Sequence, residues 1–500
     1  MADVQLNVDT TLTSDKTKSN VGKRIIICCD GTWFSADKGT DNMPSNVARI
    51  SRMFAAEAEK EETNENGKTV IRSIPQIVYY QSGVGTGNVT WYDKVKQGST
   101  GVGLDENVST AYNFLCNNYS AGDDILLFGF SRGAYTARAL SGLIIEAGIL
   151  PPGAMVLFPK MLKAYKQRLK TPFTGESWFE KYKDEYGHMY HDVKIKFVGV
   201  WDTVGALGIP ESWLSWVTGY NDGNKFHNTE IHENIKKAAH ALALDEYRGP
   251  FTPSLWYNTN ENDKKGWCSN LIQCWFPGYH GHIGGGTVTG NVDETSIDDL
   301  SLAWMVDQVG KMVTWDEKEI TRFAKGYREG AYAWAEGNLE DSGSVMYYPR
   351  VAGGWVNRTP GQYSVKKTKH EKHSDCKHEY WATNEFIHPS VRYRMSLMES
   401  RKPSDIGYTK GLLGKTPNLK YEPYSLKDFK RIHENEKDFY WYWKKEDATN
   451  GNVIIREYQI PPRWAKNYHC LGLERDLVPD EVMKELDEGN NYGADGPLRK

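Results

Sequence analysis

Residues 124–138, DILLFGFSRGAYTAR, have the sequence form of a strand that turns sharply into a helix. The apolar run at 125–128 predicts a buried strand, and helix-favouring residues follow the turn at once. Between them GFSRG matches the G-x-S-x-G nucleophile elbow, in which a strained turn lifts the serine hydroxyl clear of the sheet. Both glycines are needed because a side chain there would collide with the neighbouring strand or helix. Ser131 is therefore a candidate nucleophile, and the alternative is a serine that only caps the helix.

Apolar runs and amphipathic stretches alternate along the first 315 residues. The elements predicted around the elbow are strands at 24–29, 76–80, 194–201 and 271–276, and helices from Pro44, at 106–119, from the elbow to about 147, around 235–244 and at 297–313. Strands that alternate with helices predict a mostly parallel sheet covered on both faces. The predicted class is therefore α/β with three layers.

Four predicted strands are followed closely by a residue whose side chain could take part in catalysis. These residues are Asp30, Ser131, Asp202 and His280. In open parallel sheets the functional site lies beyond the carboxyl ends of the strands. A serine nucleophile needs a histidine base and an acid that orients it, and in one class of fold these follow in the order Ser, acid, His. Asp202 lies in the apolar segment VGVWDTVGALG, where an unpaired carboxylate is costly, although an Asp here also suits a turn or a helix cap.

The histidine is not fixed by the residues alone. The segment WFPGYHGHIGGG offers both His280 and His282, and a glycine-rich loop allows either to reach the serine. One of them is expected to act as the base, and the other to bind substrate or to pack against the fold.

An oxyanion hole normally takes one backbone N–H from the residue after the nucleophile, here Arg132. The second donor is expected from the turn that follows the first strand, at Gly31 or Thr32, because Gly31 allows a close backbone approach. Asp30 in the same turn either contacts substrate or forms a hydrogen bond within its own turn. Trp213 and Trp216 follow the acid closely in PESWLSWV and predict a lid or an acyl-pocket wall, or else an ordinary core segment.

Composition narrows the class of ligand and the compartment. A formal net charge of −4 and a pI near 6.4 argue against nucleic acid as a partner. Seven scattered cysteines without a CxxC pair favour a reducing compartment, and the polar N-terminus and the absence of a long apolar run predict a cytoplasmic protein without a membrane span. The run KKTKHEKHSDCKHE at 366–379 matches no standard zinc spacing and is interpreted as a solvated loop, so no metal or cofactor is expected.

Seven blocks occur in one order along the chain: DGTW, YYQSGVGTG, GLDENV, GFSRGAYTARAL, VGVWDTVGALG, ALALDEYRGPFTPSLW and CWFPGYHGHIGGG. Together they resemble an uncharacterised α/β-hydrolase-like family of fungi and bacteria that includes the type VI secretion phospholipase effectors. The likeness covers roughly residues 22–310, and IHPSVRYR at 387–394 resembles a distal segment of the same family.

The resemblance implies a catalytic triad of Ser131, Asp202 and His280, and it favours His280 over His282 as the base. The family commonly continues with HSDVGG where this chain has HGHIGG, so His282 replaces an acid and bears on the substrate class. The implied fold is α/β-hydrolase-like. From about residue 311 onward the sequence has a possible helix pair at 317–334 and then aromatic, charged, turn-rich segments, which predict a mainly helical and irregular C-terminal cap.

The expected organisation has four parts: a disordered tail at 1–20, a catalytic domain at 21–315, a cap at 316–480 and a frayed tail at 481–500. The expected activity is hydrolysis of an ester, with a lipid ester favoured by the resemblance and peripheral membrane contact compatible with it. An acyltransferase that uses the same serine, or a binding protein on a hydrolase fold, is the alternative. The sequence leaves the oligomeric state open.

Overall fold

The computed structural model contains the predicted elbow and the strands around it. The residues it describes are 22–31, 44–63, 67, 69–83, 104–168, 171–204, 231–257, 270–286, 297–329, 333–337, 339, 356–363, 383–400, 421–432, 441–446, 452–462 and 470–487. The predicted tail at 1–20 and the polar run at 366–379 lie outside these residues.

An eleven-stranded sheet forms the centre of the described structure, in the order β2-β3-β1-β4-β5-β6-β7-β8-β11-β10-β9. The strands are β1 Arg24–Cys29, β2 Glu57–Thr63, β3 Thr69–Gln81, β4 Asp124–Phe130, β5 Ile195–Trp201, β6 Ala238–Ala243, β7 Leu271–Phe276, β8 Glu385–Ile387, β9 Lys430–Ile432, β10 Tyr442–Lys445 and β11 Val453–Glu457. From β3 to β11 in the sheet order, each strand runs parallel to its neighbours. β2 joins one edge antiparallel, and β10 and β9 pair antiparallel at the other. The sheet is therefore mostly parallel, as predicted.

The central strands are covered on both faces. β1 (RIIICC) is buried along its whole length, and β4 (DILLFGF) is buried from its second residue. A strand with two covered faces has a continuous apolar run instead of an alternating pattern. This is why the apolar runs in the sequence located these strands so closely.

The parallel register aligns the carboxyl ends of the strands. Cys29 at the end of β1 pairs with Gly129 of β4, and Gly129 pairs with Val200 of β5 on its other side. Trp201, the last residue of β5, pairs with Ala241 of β6. The residues that follow β1, β4 and β5 therefore emerge together at one edge of the sheet.

Helices cover both faces of the sheet. Their bounds are α1 Asn46–Ser51, α2 Leu104–Asn118, α3 Arg132–Ala147, α4 Phe158–Lys166, α5 Gly175–Phe179, α6 Lys183–Tyr186, α7 His280–Gly284, α8 Asp298–Val309, α9 Glu317–Glu329, α10 Pro389–Ser400, α11 Leu473–Leu477 and α12 Asp480–Asp487. Successive residues of β1 point to opposite faces: Ile25 and Ile27 pack in a core with α2 and α3, and Ile26 and Cys28 in a core with α1 and α8. The three-layer α/β architecture is confirmed.

One predicted helix is wrong. Residues around 235–244 were expected to be helical, but the run AAHALA at 238–243 forms strand β6. Alanine favours helices intrinsically, yet here every residue of the run is buried between β5 and β7. Tertiary burial in the middle of a sheet outweighs that local preference.

The C-terminal part differs from the mainly helical and irregular cap that was expected. Four of its short segments, β8, β11, β10 and β9, extend the central sheet beyond β7. Their apolar residues Ile387, Trp443 and Ile455 form a core with Leu242 and Trp275 of β6 and β7. The sheet is thus continuous between the two regions.

The beginning of the predicted frayed tail is ordered. Residues 481–487 lie in helix α12, which buries Val482, Met483 and Leu486. These positions share one helical face, and this apolar stripe explains why the segment packs instead of fraying. Residues 488–500 lie outside the described part.

Among the described helices there is none whose length and apolar character would let it cross a membrane.

Candidate active site

The serine of the elbow lies between β4 and α3, and its backbone angles are ones that residues with a side chain rarely adopt. Ser131 has φ 57° and ψ −120°, which is outside the ordinary regions for a residue with a side chain. Its N–H donates to the carbonyl of Trp201 at 3.1 Å, and its carbonyl accepts from Tyr135 N–H at 3.3 Å. The strained turn is thus held from both sides, by β5 and by the first turn of α3.

The two glycines of the elbow are required by close backbone contacts. A Cβ on Gly133 would lie 2.1 Å from the carbonyl oxygen of Cys29 and 2.4 Å from that of Asp30. A Cβ on Gly129 would lie 2.4 Å from the carbonyl oxygen of Gly133. Helix α3 therefore approaches β1 and β4 more closely than any side chain would allow, as the sequence pattern predicted.

Asp202 follows β5 directly and is fully buried. Its N–H donates to the carbonyl of Ala241 at 2.7 Å, and its φ of 38° turns the chain out of the strand. The Oδ1 atom accepts the Ala243 N–H at 2.9 Å, so neighbouring strand β6 holds both the backbone and the side chain.

His280 begins helix α7 and joins the other two residues. Its Nδ1–H donates to Asp202 Oδ2 at 2.6 Å, and its Nε2 accepts from Ser131 Oγ at 2.8 Å. The imidazole also contacts the rings of Phe130 and Phe251, with centroids 4.7 and 4.8 Å away. The structure thus brings Ser131, Asp202 and His280 into one hydrogen-bonded chain, although they are far apart in sequence.

Burial and neighbouring charges set the protonation states of Asp202 and His280. Burial alone would raise the pKa of Asp202, but the charge of Arg358 and hydrogen bonds from His280 and Arg358 hold that pKa well below its ordinary value. Burial lowers the pKa of His280 below 6.5, and Asp202 offsets only part of this effect. A neutral imidazole beside an ionised carboxylate can accept a proton from the serine hydroxyl.

The sequence analysis did not identify three charged residues that contact Asp202 and His280 or pair next to them. Arg358 Nη1 donates to Asp202 Oδ1 at 2.5 Å, and its Nη2 to Oδ2 at 2.9 Å. Glu246 Oε2 accepts the backbone N–H of His280 at 3.2 Å and is paired with Arg248 at 2.8 Å. Glu246 and Arg248 lie inside the block ALALDEYRGPFTPSLW and could have been considered, but the sequence around Arg358 carries no such signal.

The turn after β1 does not present the Gly31 N–H as an open donor. That N–H donates to Asp30 Oδ1 at 2.6 Å, while Asp30 Oδ2 accepts from Ser45 Oγ at 2.6 Å and Tyr80 OH at 2.5 Å. Of the two roles considered for Asp30, this geometry corresponds to a hydrogen bond within its own turn. Thr32 lies outside the described residues, and so do Trp213 and Trp216.

His282 faces the interior of the turn that carries His280. It is 3% exposed, its Nδ1 accepts the Tyr279 N–H at 3.3 Å, and its ring lies 4.1 Å from that of Tyr279 in an edge-on arrangement. Burial and the charge of Arg394 lower the pKa of His282 to about 3. A neutral, buried His282 therefore holds the backbone of Tyr279, next to His280, in this structure.

A metal site is not evident in the part of the chain that the structure describes, where no group of three or more His, Cys, Asp or Glu side chains is arranged to hold an ion.

The parallel sheet, the serine on its strained turn, and the Ser–His–Asp arrangement at the carboxyl edge define an α/β-hydrolase-like protein. The model of the family described as "T6SS, Phospholipase effector Tle1-like, catalytic domain" matches residues 23–308, and the chain belongs to this family. The resemblance inferred from the seven sequence blocks is thereby confirmed.

Known proteins resemble parts of the chain. The "Uncharacterized protein YEL023C" of Saccharomyces cerevisiae is 29% identical over 250 residues, which are 47% of this chain and 32% of that protein. The chain thus matches about a third of this curated relative's length.

Two solved structures also align. A Tle1 effector bound to the VgrG spike from the Type 6 secretion system has 20% identity and a TM-score of 0.27, over 53% of this chain and 51% of that chain. An uncharacterized protein from Pseudomonas aeruginosa has 15% identity and a TM-score of 0.30, over 63% of this chain and 47% of that chain.

Proposed function

We propose that the chain is a serine hydrolase that cleaves lipid esters through an acyl-enzyme on Ser131. The observation that carries the proposal is the continuous hydrogen-bonded chain from Asp202 Oδ2 through His280 to Ser131 Oγ, with distances of 2.6 and 2.8 Å. The strained backbone of Ser131 supports it, because such strain is stored mainly at functional sites.

In the first half of the reaction Ser131 Oγ attacks the ester carbonyl while His280 Nε2 takes the hydroxyl proton. Asp202 keeps the Nδ1–H tautomer and stabilises the imidazolium that forms. The tetrahedral intermediate then collapses, the bond to the leaving alcohol breaks, and Nε2 gives its proton to that alcohol. Water repeats the sequence on the acyl-enzyme, so Ser131 is regenerated and the acid is released.

The oxyanion is expected to be stabilised at the start of α3. Arg132 is the first residue of this sixteen-residue helix and follows the nucleophile, so its N–H is placed where the partial positive charge of the helix N-terminus is concentrated. Removal of one oxyanion donor typically slows turnover by about 10²–10³-fold. The second donor is expected at Thr32, since the Gly31 N–H is already bound by Asp30.

Family membership supports a lipid as the substrate. The matched family is described by its phospholipase effectors, and this supports an ester of a lipid over other acyl donors.

Labelling with a fluorophosphonate probe tests the nucleophile. The wild-type chain should label, the Ser131→Ala variant should not, and Ser141→Ala should label like the wild type. Ser141 is a matched control because it lies buried in the same helix, where its Oγ donates to the carbonyl of Arg138 at 2.7 Å. Labelling that persists in folded Ser131→Ala would overturn the assignment.

Release of fatty acid from phospholipid vesicles and from p-nitrophenyl esters of increasing chain length tests the reaction. Wild-type protein is expected to hydrolyse the lipid esters, and Ser131→Ala is expected to be inactive. If Ser131 labels but every ester stays intact, the same nucleophile serves an acyl transfer to another acceptor, and the hydrolase proposal is wrong.

A further inference from the structure

The guanidinium of Arg358 is buried and is paired with the carboxylate of Asp202. It donates to both oxygens of Asp202 and also to the carbonyls of Ala243 and Phe251, each at 2.7 Å. With the N–H of Ala243 and His280 Nδ1, each oxygen of Asp202 accepts two hydrogen bonds. The carboxylate cannot rotate without breaking several of them at once.

The segment that carries Arg358 is fixed on both sides. Val356 N–H donates to the carbonyl of Tyr247 at 2.9 Å, and Gly361 N–H donates to the buried carboxylate of Glu385 at 2.8 Å. The ring of Tyr363 stacks on Trp275 of β7 with a centroid distance of 5.8 Å. Residues 356–363 are therefore held against the segment that follows β6 and against β7 and β8. These contacts place Arg358 beside Asp202.

We propose that Arg358 is a positioning residue for the reaction, supplied by a part of the chain that lies beyond the family-matched residues 23–308. It acts through Asp202, whose carboxylate it holds in the plane that receives Nδ1–H of His280. The inference rests on the proposed role of Ser131, His280 and Asp202. Bidentate, charge-assisted pairs of this kind fix geometry more strictly than a single contact.

Arg358 also balances the charges that face the base. Among the described residues, two carboxylates, Asp202 and Glu246, and two guanidinium groups, Arg358 and Arg248, lie around His280. Removal of Arg358 leaves one more negative than positive charge among these four groups, which favours the imidazolium. The base would then be protonated at a higher pH, and less of it would be available for Ser131.

The test is the rate constant for fluorophosphonate labelling of Ser131 as a function of pH, measured on the full chain. The variants are Arg358→Met, Arg358→Lys and the control Arg431→Met. Arg431 of strand β9 is the control because it also forms a bidentate pair with a carboxylate, that of Glu457 in β11, at 2.9 and 3.0 Å. Far- and near-ultraviolet circular dichroism reports the folded fraction of each variant.

Arg358→Met is expected to label about 10²-fold more slowly, since a misplacement of about 1 Å has that effect. Its rate should also fall off on the acid side at a higher pH than in the wild type. Arg358→Lys keeps the charge but cannot form both bonds, so we expect a wild-type pH dependence with an intermediate rate. Arg431→Met should match the wild type in both.

A folded Arg358→Met variant with the wild-type rate and pH dependence would overturn the proposal. So would a slower rate that only follows the loss of folded protein, with an unchanged pH dependence, because this is what a purely structural arginine would give. Ser131→Ala in the same series separates the two levels of the argument. If that variant still labels, the proposed function fails, whatever Arg358 does.

Discussion

Replacing Gly133 by alanine should destabilise the protein and slow its reaction with a fluorophosphonate, whereas the same replacement at Gly326 should stabilise it. Both glycines lie in helices, Gly133 in α3 and Gly326 in α9. The chemical change is identical, so the two variants differ only in what the new methyl group meets.

The magnitudes follow from the surroundings of each position. An alanine is favoured over glycine in a helix interior by about 0.8–1 kcal/mol, and at Gly326 the added Cβ meets no described atom within 4 Å apart from its chain neighbours and the nearby backbone of its own helix. At Gly133 the Cβ would lie 2.1 Å from a backbone oxygen of β1, so the backbones must separate by about 0.9 Å to reach even 3.0 Å. No side-chain rotation relieves this contact, and an overpacking cost of about 3 kcal/mol leaves a net loss of about 2 kcal/mol.

Chemical unfolding followed by tryptophan fluorescence measures the first effect, and the labelling rate of Ser131 the second. Because Ser131 is two residues from the clash, a shift of this size should slow labelling by about 10²-fold. A Gly133→Ala variant with wild-type midpoint and rate would refute the close approach of α3 to β1. A loss of stability in Gly326→Ala would show that the difference between the two variants does not come from the contact of residue 133 with β1.

Three further outcomes are expected. Because burial lowers the pKa of His280 below 6.5, the rate of ester hydrolysis should fall off on the acid side only below about pH 6.5; a half-maximal rate at higher pH would contradict a neutral buried base. His282→Asn should lower kcat with little effect on KM or on acyl-chain preference, and a changed chain preference would instead make His282 a substrate-binding residue. Burial raises the pKa of Glu474 to about 8, so the folded state keeps a proton that the unfolded state loses near its ordinary pKa. The free energy of unfolding of the wild type should therefore decrease as the pH rises from the ordinary pKa of a glutamate to about 8. The gain in melting temperature of Glu474→Gln should be larger at about pH 8.5 than at about pH 5, and an equal gain would contradict the raised pKa.

The parts of the site that the sequence predicted are those defined by short-range pattern. The elbow is a local object, because β4, the serine and the start of α3 are consecutive and the glycines act on adjacent backbone. Asp202 was found because it directly follows the apolar strand β5, and His280 and His282 became candidates because they lie just beyond β7. The strand pattern gives such positions without knowledge of the neighbours, but the choice of His280 over His282 came from the family resemblance.

The parts that were missed depend on contacts between distant segments. Arg358 is 156 residues from Asp202, and nothing in its own neighbourhood marks it as a partner of a buried acid. Strand β6 was mistaken for a helix because its composition, AAHALA, has helical preference, and only its place between β5 and β7 decides otherwise. The short C-terminal strands are stabilised by pairing with β7 and with one another, which a local pattern does not record.

The long span between Arg358 and Asp202 has a consequence for when the site becomes complete during synthesis. The elbow needs β1, β4, β5 and the start of α3, all of which lie before residue 202. The carboxylate of Asp202 is not clamped until residue 358 has left the ribosome, and contacts with such large sequence separation form late in folding. A growing chain would therefore carry its serine long before it carries an aligned base, and it would acquire reactivity toward esters only as the C-terminal part folds onto the sheet.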